Sequence, residues 1–368
     1  DGCTQCKEHE VAKRAKEIIS SRRSNVKVTS LGKLIMSKKL QPAYNVIGTK
    51  SSRMSGTGGF NSQGIDRSDE FRDCFTLAPS GAILMGGDFE GFELTICDAV
   101  YSDKNWHSTL IAGKKVHAVF GSGLYDMSYD QVMNDKVKYT KAKSGLFLLI
   151  YGGEANGIEY KLEATAEQAK RAEANFFKNF PDILKRRLEI YKDYRPLQDD
   201  FSWSEPKSYI ESFMGHKRYF DLEWNICRVL YRLAKNVDND QGVEQDLCER
   251  TQGRKQTPVN ALRSALYGTI KKIQTKASRA AINHEIQSPG ADITKIVQKA
   301  IWDLQPTGIS DWKVQTMNIH DEIICVVHDP NLASKVEATV YSKIDELRER
   351  VPLLKMNWGA GTSWKDIH

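Results

Sequence analysis

The 368-residue sequence predicts an α+β protein, a few short apolar strands set among many helices. Three stretches carry this reading. "NIHDEIICVVHD" (318–329) has Ile319 before a polar break at 320–322, and Ile323, Ile324, Cys325, Val326 and Val327 after it. Such a β-branched run beside a polar break reads as a hairpin of buried strands. "AILMGGDFEGFELTICDAV" (82–100) gives a short apolar strand over 83–85, then two glycines and Asp88 at the strand's end; after Glu93 the spacing turns helical. "DKVKYTKAKSGLFLLIY" (135–151) reads as a helix in which Tyr139, Lys143, Phe147 and Tyr151 recur every four residues and share one face.

The other elements follow in chain order. Residues 7–21 are helical and basic. Residues 47–65 form a Ser-, Gly- and Thr-rich loop whose length suggests function. Residues 165–181 open with a capping-box pattern, Thr165 and Gln168, and stop before Pro181. Residues 195–258 are the least legible; Asp221 and Glu223 there could read as a nuclease pair, but no further carboxylate signature accompanies them. The pattern is helical and basic over 258–287, helical again over 292–304 and over about 331–350. No internal repeat is visible.

Composition bounds the function. Hydrophobic residues make up 40% and charged residues 27%, as in an ordinary globular protein. No apolar run approaches a membrane span, and no signal-peptide pattern is present, so an intracellular, non-secreted protein without a membrane partner is expected. The chain begins with Asp1 rather than Met, which reads as a fragment or a processed product. Net charge is +6, and residues 1–53 alone hold twelve Lys and Arg against four acids. That segment suits a polyanion such as nucleic acid, or is a solvated basic helix. Seven scattered cysteines argue against a disulfide framework. Cys3 and Cys6 form one CxxC, with no second CxxC or His pair at zinc-finger spacing.

Asp321 and Glu322 repel each other unless a cation sits nearby; a metal is one answer and a solvated turn the other. With Asp88 at the end of another strand and a lysine–aromatic helix between them in sequence, the layout suits two-metal phosphoryl transfer. A helical lysine can meet nucleotide phosphates as a point charge.

Taken together, the motifs resemble those of the family A, DNA polymerase I-like, DNA polymerases, from residue 53 to the C-terminus. "DFEGFEL" (88–94) resembles the first polymerase motif, "KSGLFLLIYG" (143–152) the second and "IHDE" (319–322) the third. His117 in "VHAVFG" falls where the family places a histidine. "RAAINHEIQSPGADI" (279–293) resembles the helix whose Arg, Asn and Gln face the primer–template, here Arg279, Asn283 and Gln287. Arg53, Asn61 and Gln63 resemble the family's Arg-Leu-Ser…Asn-Leu-Gln segment.

The resemblance implies a right-hand polymerase fold with an antiparallel palm sheet, helical fingers and a reduced or truncated thumb. It divides the chain into a basic thumb remnant and connector (1–52), palm (53–118), fingers (119–278, with an insertion at 195–258) and palm again (279–368). It implies template-directed extension of a primer 3′ end with dNTPs. Asp88, Asp321 and Glu322 would be catalytic. Asp88, Asp321 and the Phe89 carbonyl would hold two Mg²⁺ ions, with Mn²⁺ able to substitute. Lys143 and His117 would hold the triphosphate, and Phe147 and Tyr151 would pack around the sugar and base. Glu93 would block a ribose 2′-hydroxyl. Arg53, Asn61, Gln63, Arg279, Asn283, Gln287 and His320 would face primer–template DNA. The chain has no room for a proofreading exonuclease domain: either it was cut away or it belongs to another polypeptide, a separate exonuclease or processivity partner.

Departures from the family pattern are local. Glu90 and Gly91 replace Ser and Gln of the first motif. Tyr139 stands where the family has an Arg, leaving Lys136, Lys138 and Lys141 as substitutes. Leu148 replaces a Gly, so helix packing there must differ. Two other functions compete. A single-subunit RNA polymerase would share the palm, but Glu93 and Phe147 resemble deoxynucleotide-selecting choices. A non-catalytic nucleic-acid-binding homologue would have no use for both carboxylates and Lys143.

Overall fold

The computed structural model describes residues 10–37, 40, 42–58, 61–65, 68–77, 80–162, 164–239, 258–306 and 312–367. Cys3 and Cys6, and the 240–257 part of the stretch that the sequence leaves illegible, lie outside them. The chain divides into two compact units, Asp1–Val100 with Gln287–His368, and Tyr101–Ile286.

Eight strands occur among the described residues: β1 (Ala43–Asn45), β2 (Ser55–Thr57), β3 (Ile83–Phe89), β4 (Tyr209–Glu211), β5 (Lys217–Tyr219), β6 (Val314–Ile319), β7 (Glu322–Val327) and β8 (Met356–Gly361). The central sheet of the first unit runs β6-β7-β3-β8, antiparallel throughout. Its register sets Asp88 opposite Glu322 on one side and Asn357 on the other. The expected hairpin is β6–β7, and its β-branched residues Ile323, Ile324 and Val327 are buried. Each such side chain contributes roughly 1.5–3 kcal/mol by leaving water. The helix Ala333–Leu347 buries Val336, Val340, Ile344 and Leu347, one face at helical spacing.

Two expectations are corrected here. The strand does not stop at Met85; β3 continues through both glycines to Phe89. A Cβ on Gly87 would lie 1.9 Å from the Asn357 carbonyl oxygen, and one on Gly86 would lie 2.8 Å from that of Ile323. The glycines are there so that backbone can approach backbone, not to end the strand. Likewise, the helical stretches 258–287 and 292–304 are one continuous helix, Pro258–Trp302, with Pro289 inside it. An internal proline costs a helix about 3 kcal/mol. Residues 288–291 are all buried, and Gly290 lets Phe92 and Ile96 come within 3.2 Å of where a Cβ would stand. Packing outweighs the local penalty.

The second unit is mostly helical. Trp106, Phe120, Phe176 and Phe180 form an aromatic cluster with edge-on contacts, Trp106 to Phe180 at 5.1 Å. Residues 195–239 pack into a core shared with neighbouring helices of this unit. The β4–β5 hairpin leads into the helix Asp221–Asn239, and Phe220, Trp224 and Cys227 pack with Tyr194, Tyr267 and Ile270. Asp221 and Glu223 occupy that helix's first turn, where carboxylates oppose the positive end of the helix dipole. This accounts for the pair without a nuclease.

The N-terminal basic helix is longer than its pattern suggested, Glu10–Ser37, and Val11, Val26, Val28 and Ile35 on it are exposed. The 47–65 loop contains β2, which pairs with β1 just ahead of the loop, and a short 3₁₀ turn, Ser62–Gly64. Its Ser51, Ser52 and Ser62 are buried despite their polarity.

Candidate active site

In the first unit the site is built on the end of the sheet. β6 ends at Ile319 and β7 begins at Glu322, so His320 and Asp321 alone make the connection. His320 takes φ 61°, a conformation that few residues other than Gly adopt, with His among the tolerated ones. The turn is braced from its base. The Asn318 carbonyl accepts from the Tyr44 hydroxyl at 2.7 Å, and Asn318 Nδ2 donates to the His320 carbonyl at 3.0 Å.

Glu322 is buried and accepts twice, from Arg72 Nη2 at 3.2 Å and from Trp364 Nε1 at 2.5 Å. It thereby anchors the strand on which the turn is mounted. Asp321 is half-exposed and Asp88 exposed, and the Asp88–Glu322 register brings Asp321 within one residue of Asp88's cross-strand partner. Phe89 is buried and stacks on Phe92 at 4.2 Å. Glu90 faces solvent.

Glu93 lies in the first turn of the helix Phe92–Tyr101, where its Oε1 is 3.4 Å from Arg53 Nη2. Asn61 caps the Ser62–Gly64 turn, accepting from the Gln63 amide, and Gln63 Nε2 donates to the Met54 carbonyl at 3.1 Å and to Asn318 Oδ1 at 3.3 Å. Arg53, Gln63, Asn318, His320 and Asp321 line one pocket of this unit. Gln287 is half-buried on the long helix.

In the second unit the candidate residues are carried by the helix Lys136–Ile150. Asp135 caps it, accepting from the amides of Val137 and Lys138. The predicted stripe is present: Lys143 is exposed, while Tyr139, Phe147 and Tyr151 are half-buried. Phe147 and Tyr151 stack with centroids 6.0 Å apart. His117 is buried against Phe147 at 5.4 Å and edge-on to Tyr139 at 5.9 Å, so Tyr139 serves as an aromatic wall here. Burial first, then the positive charges of Lys143 and Lys115, push the His117 pKa down to about 4. The imidazole is neutral at pH 7. Of the three lysines considered as substitutes for the family's Arg, Lys138 pairs with Asp135 at 3.4 Å.

The altered packing around Leu148 is resolved by glycines. A Cβ on Gly153 would lie 2.2 Å from Leu148 Cδ2, and one on Gly157 2.9 Å from Leu148 Cδ1. The helix ends at Ile150 with Tyr151 as its cap; Gly152 follows at φ 79°, and Arg279 Nε donates to the Gly152 carbonyl at 3.1 Å. Arg187 Nη2 donates to the Gly153 carbonyl at 2.7 Å. These cations bond carbonyls of the turn just past the helix end. Asn283 is half-buried, with an Oδ1 that accepts no hydrogen bond among the described residues.

The sequence reading missed Arg72, Trp364, Tyr44 and Arg187, all of them supports. Arg72 stands 250 residues from Glu322, and no periodic or motif signal marks Arg72 itself.

The oxygens offered by Asp88, Asp321 and the Phe89 carbonyl are hard ligands. Among the described residues no three His, Cys, Asp or Glu side chains cluster as a metal cage. Such carboxylate and carbonyl oxygens suit a hard divalent cation.

Comparison with known proteins agrees with this architecture. The family model for DNA polymerase family A matches residues 4–366. The chain belongs to DNA polymerase family A. It is 22% identical over 334 residues to the DNA polymerase I of Mycobacterium tuberculosis (strain ATCC 25618 / H37Rv), covering 89% of this chain and 30% of that protein. To the DNA polymerase I of Chloroflexus aurantiacus it is 23% identical over 336 residues, covering 89% and 29%. A DNA polymerase of Mycobacterium phage D29 is 28% identical over 142 residues, 38% of this chain and 23% of the phage protein. Among solved structures, the POL domain of Pol1 from M. smegmatis, in complex with DNA primer-template and dNTP, superposes with a TM-score of 0.66 at 21% identity. That match covers 95% of this chain and 52% of the other. The chain thus spans about 30% of the length of the M. tuberculosis relative. No helix among the described residues is long and apolar enough to cross a membrane.

Proposed function

We propose that this chain is the polymerase portion of a template-directed DNA polymerase, extending a primer 3′ end with dNTPs. The observation that carries the reading is the end of the central sheet, where β3 and the β6–β7 turn present Asp88 and Asp321 in adjacent register above a buried, doubly bonded Glu322. Asp88, Asp321 and the Phe89 carbonyl would hold Mg²⁺, which when bound lowers the pKa of an attacking hydroxyl and stabilises the leaving oxygen.

The chain's own residues do the positioning. In the first unit, the exposed carboxylates fix where positive charge can gather, and the half-exposed Arg53 together with His320 offers donors to the primer terminus. Glu93 occupies the first turn after the Asp88 strand, where it can exclude a ribose 2′-hydroxyl. In the second unit, Lys143 supplies an exposed cation for the triphosphate. His117 is neutral, so it acts as a hydrogen-bonding group rather than as a second charge. The Phe147–Tyr151 stack offers apolar faces to sugar and base. Arg279, Asn283, Gln287, Asn61 and Gln63 would face primer–template DNA; Asn61 and Gln63 also hold the loop that carries Arg53.

Primer extension with separate dNTP and NTP pools in Mg²⁺ tests the reading. Complementary extension from dNTPs is expected. Extension from NTPs alone would favour the RNA polymerase alternative, and none from either pool the binding homologue.

A further inference from the structure

Lys295 belongs to no motif recognised in the sequence, yet it sits beside the pocket of the first unit. Its ammonium donates to both oxygens of Ser52, to the backbone carbonyl and, at 2.8 Å, to the hydroxyl. The Ser52 hydroxyl in turn donates to Asp292 Oδ1 at 3.2 Å. Asp292 and Lys295 are three residues apart on the long helix and so share a face. Ser52 is 3% exposed and has φ 65°. A serine in that conformation is strained and persists where the surroundings over-determine it. The loop's own bonds complete the clamp: Ser52 N donates to the Thr49 carbonyl at 3.1 Å, Arg53 N to Thr49 Oγ1 at 3.1 Å, and Gly48 N to the Arg53 carbonyl at 3.0 Å.

The consequence falls on the next residue. Arg53 leaves this turn with its backbone bonded at both N and O, and its guanidinium lies 3.4 Å from Glu93. Arg53 and Lys295 line the same pocket as Gln63, His320 and Asp321.

We propose that Lys295 is a positioning residue for the polymerase site: by holding Ser52 in the left-handed conformation it aims Arg53 along the pocket beside Asp321. The proposal rests on the polymerase reading above. It assigns Lys295 no direct contact with DNA, because its donors are turned to Ser52.

Three variants test it. Lys295→Met should lower kcat/KM for dNTP insertion at least tenfold, while primer–template Kd stays within threefold. Glycine accepts φ 65° without strain, so adding Ser52→Gly to Lys295→Met should recover a substantial part of the loss. In an Arg53→Ala background, Lys295→Met should add less than a twofold further loss, because both act through one side chain. A structural readout runs alongside: trypsin should nick Lys295→Met faster at Lys50 or Arg53, and Ser52→Gly should slow the nicking again. Additive losses with Arg53→Ala, or no rescue by Ser52→Gly, would overturn the proposal. So would a weakened Kd whose salt slope falls by about one phosphate when Lys295→Met is added to Arg53→Ala, which marks a direct DNA contact that does not pass through Arg53. If wild-type protein extends no primer, the polymerase reading fails on its own, and the nicking assay still decides whether Lys295 holds the loop.

Discussion

The sheet end and the Lys143 helix place their functional groups by opposite devices. On the sheet, register and a strained two-residue turn fix two carboxylates, with buried polar partners beneath. Glu322 is held from two sides and Asn318 bonds across the turn. On the helix, one repeating face fixes a cation and two aromatics, with a buried neutral imidazole and glycine-mediated packing beneath. The first arrangement is stiff in backbone, the second in side-chain stacking. Under the proposed polymerase reading the difference suits a division of labour: chemistry would need atoms held at fixed spacing, and a triphosphate a charge that can follow its ligand.

The comparison breaks or sharpens under substitution, beginning with the largest effect. Asp88→Ala or Asp321→Ala should abolish primer extension while leaving DNA binding largely intact, because duplex affinity comes mainly from phosphate contacts. Extension gels and an equilibrium binding assay check both halves. Lys143→Ala should cost on the order of 10²-fold in kcat/KM, as loss of one preorganised donor does. Kinetics within about twofold of wild type would hand the role to another lysine. Glu93→Ala should raise ribonucleotide insertion at least about tenfold, roughly 1.4 kcal/mol of lost discrimination. Single-nucleotide insertion of dATP and ATP opposite template T measures this; an unchanged ratio would make Glu93 only a helix-end carboxylate.

The smallest effect concerns pH. The folded pKa of His117 is about 4, below the ordinary value near 6.5. Between those values the unfolded chain binds more protons, so His117 costs the fold stability as pH falls from about 6.5 towards 4, and costs nothing above that window. His117→Gln should flatten this part of the acid loss in urea melts at pH 7 and 4.5. An unaltered slope would mean that other groups carry it.

Much of this was legible in the sequence because the signals are local. The β-branched run after Asp321 marks a buried strand, and the four-residue recurrence from Tyr139 to Tyr151 marks a helix face. Illegible parts depend on contacts distant in sequence. Nothing near Gly86 and Gly87 says that Ile323 and Asn357 approach them, so they read as a strand end. Nothing near Pro289 says that residues 288–291 will be buried, so it reads as a helix break. The core of residues 195–239 is completed by Tyr267 and Ile270, far along the chain, which hides its order from local pattern. For the proposed site, the sequence marked the motif residues, the buried Glu322 and His117 among them, but not Arg72 and Trp364, which hold Glu322 from elsewhere in the chain.

The central claim is that the sheet end holds the metals and the Lys143 helix does not. Mn²⁺ binding followed by electron paramagnetic resonance, with primer–template and a non-hydrolysable dNTP present, tests it most directly. Wild type and Lys143→Ala should both take up Mn²⁺ when nucleotide occupancy is matched, and Asp88→Ala should lose most of that uptake. Undiminished Mn²⁺ binding by Asp88→Ala would contradict the account.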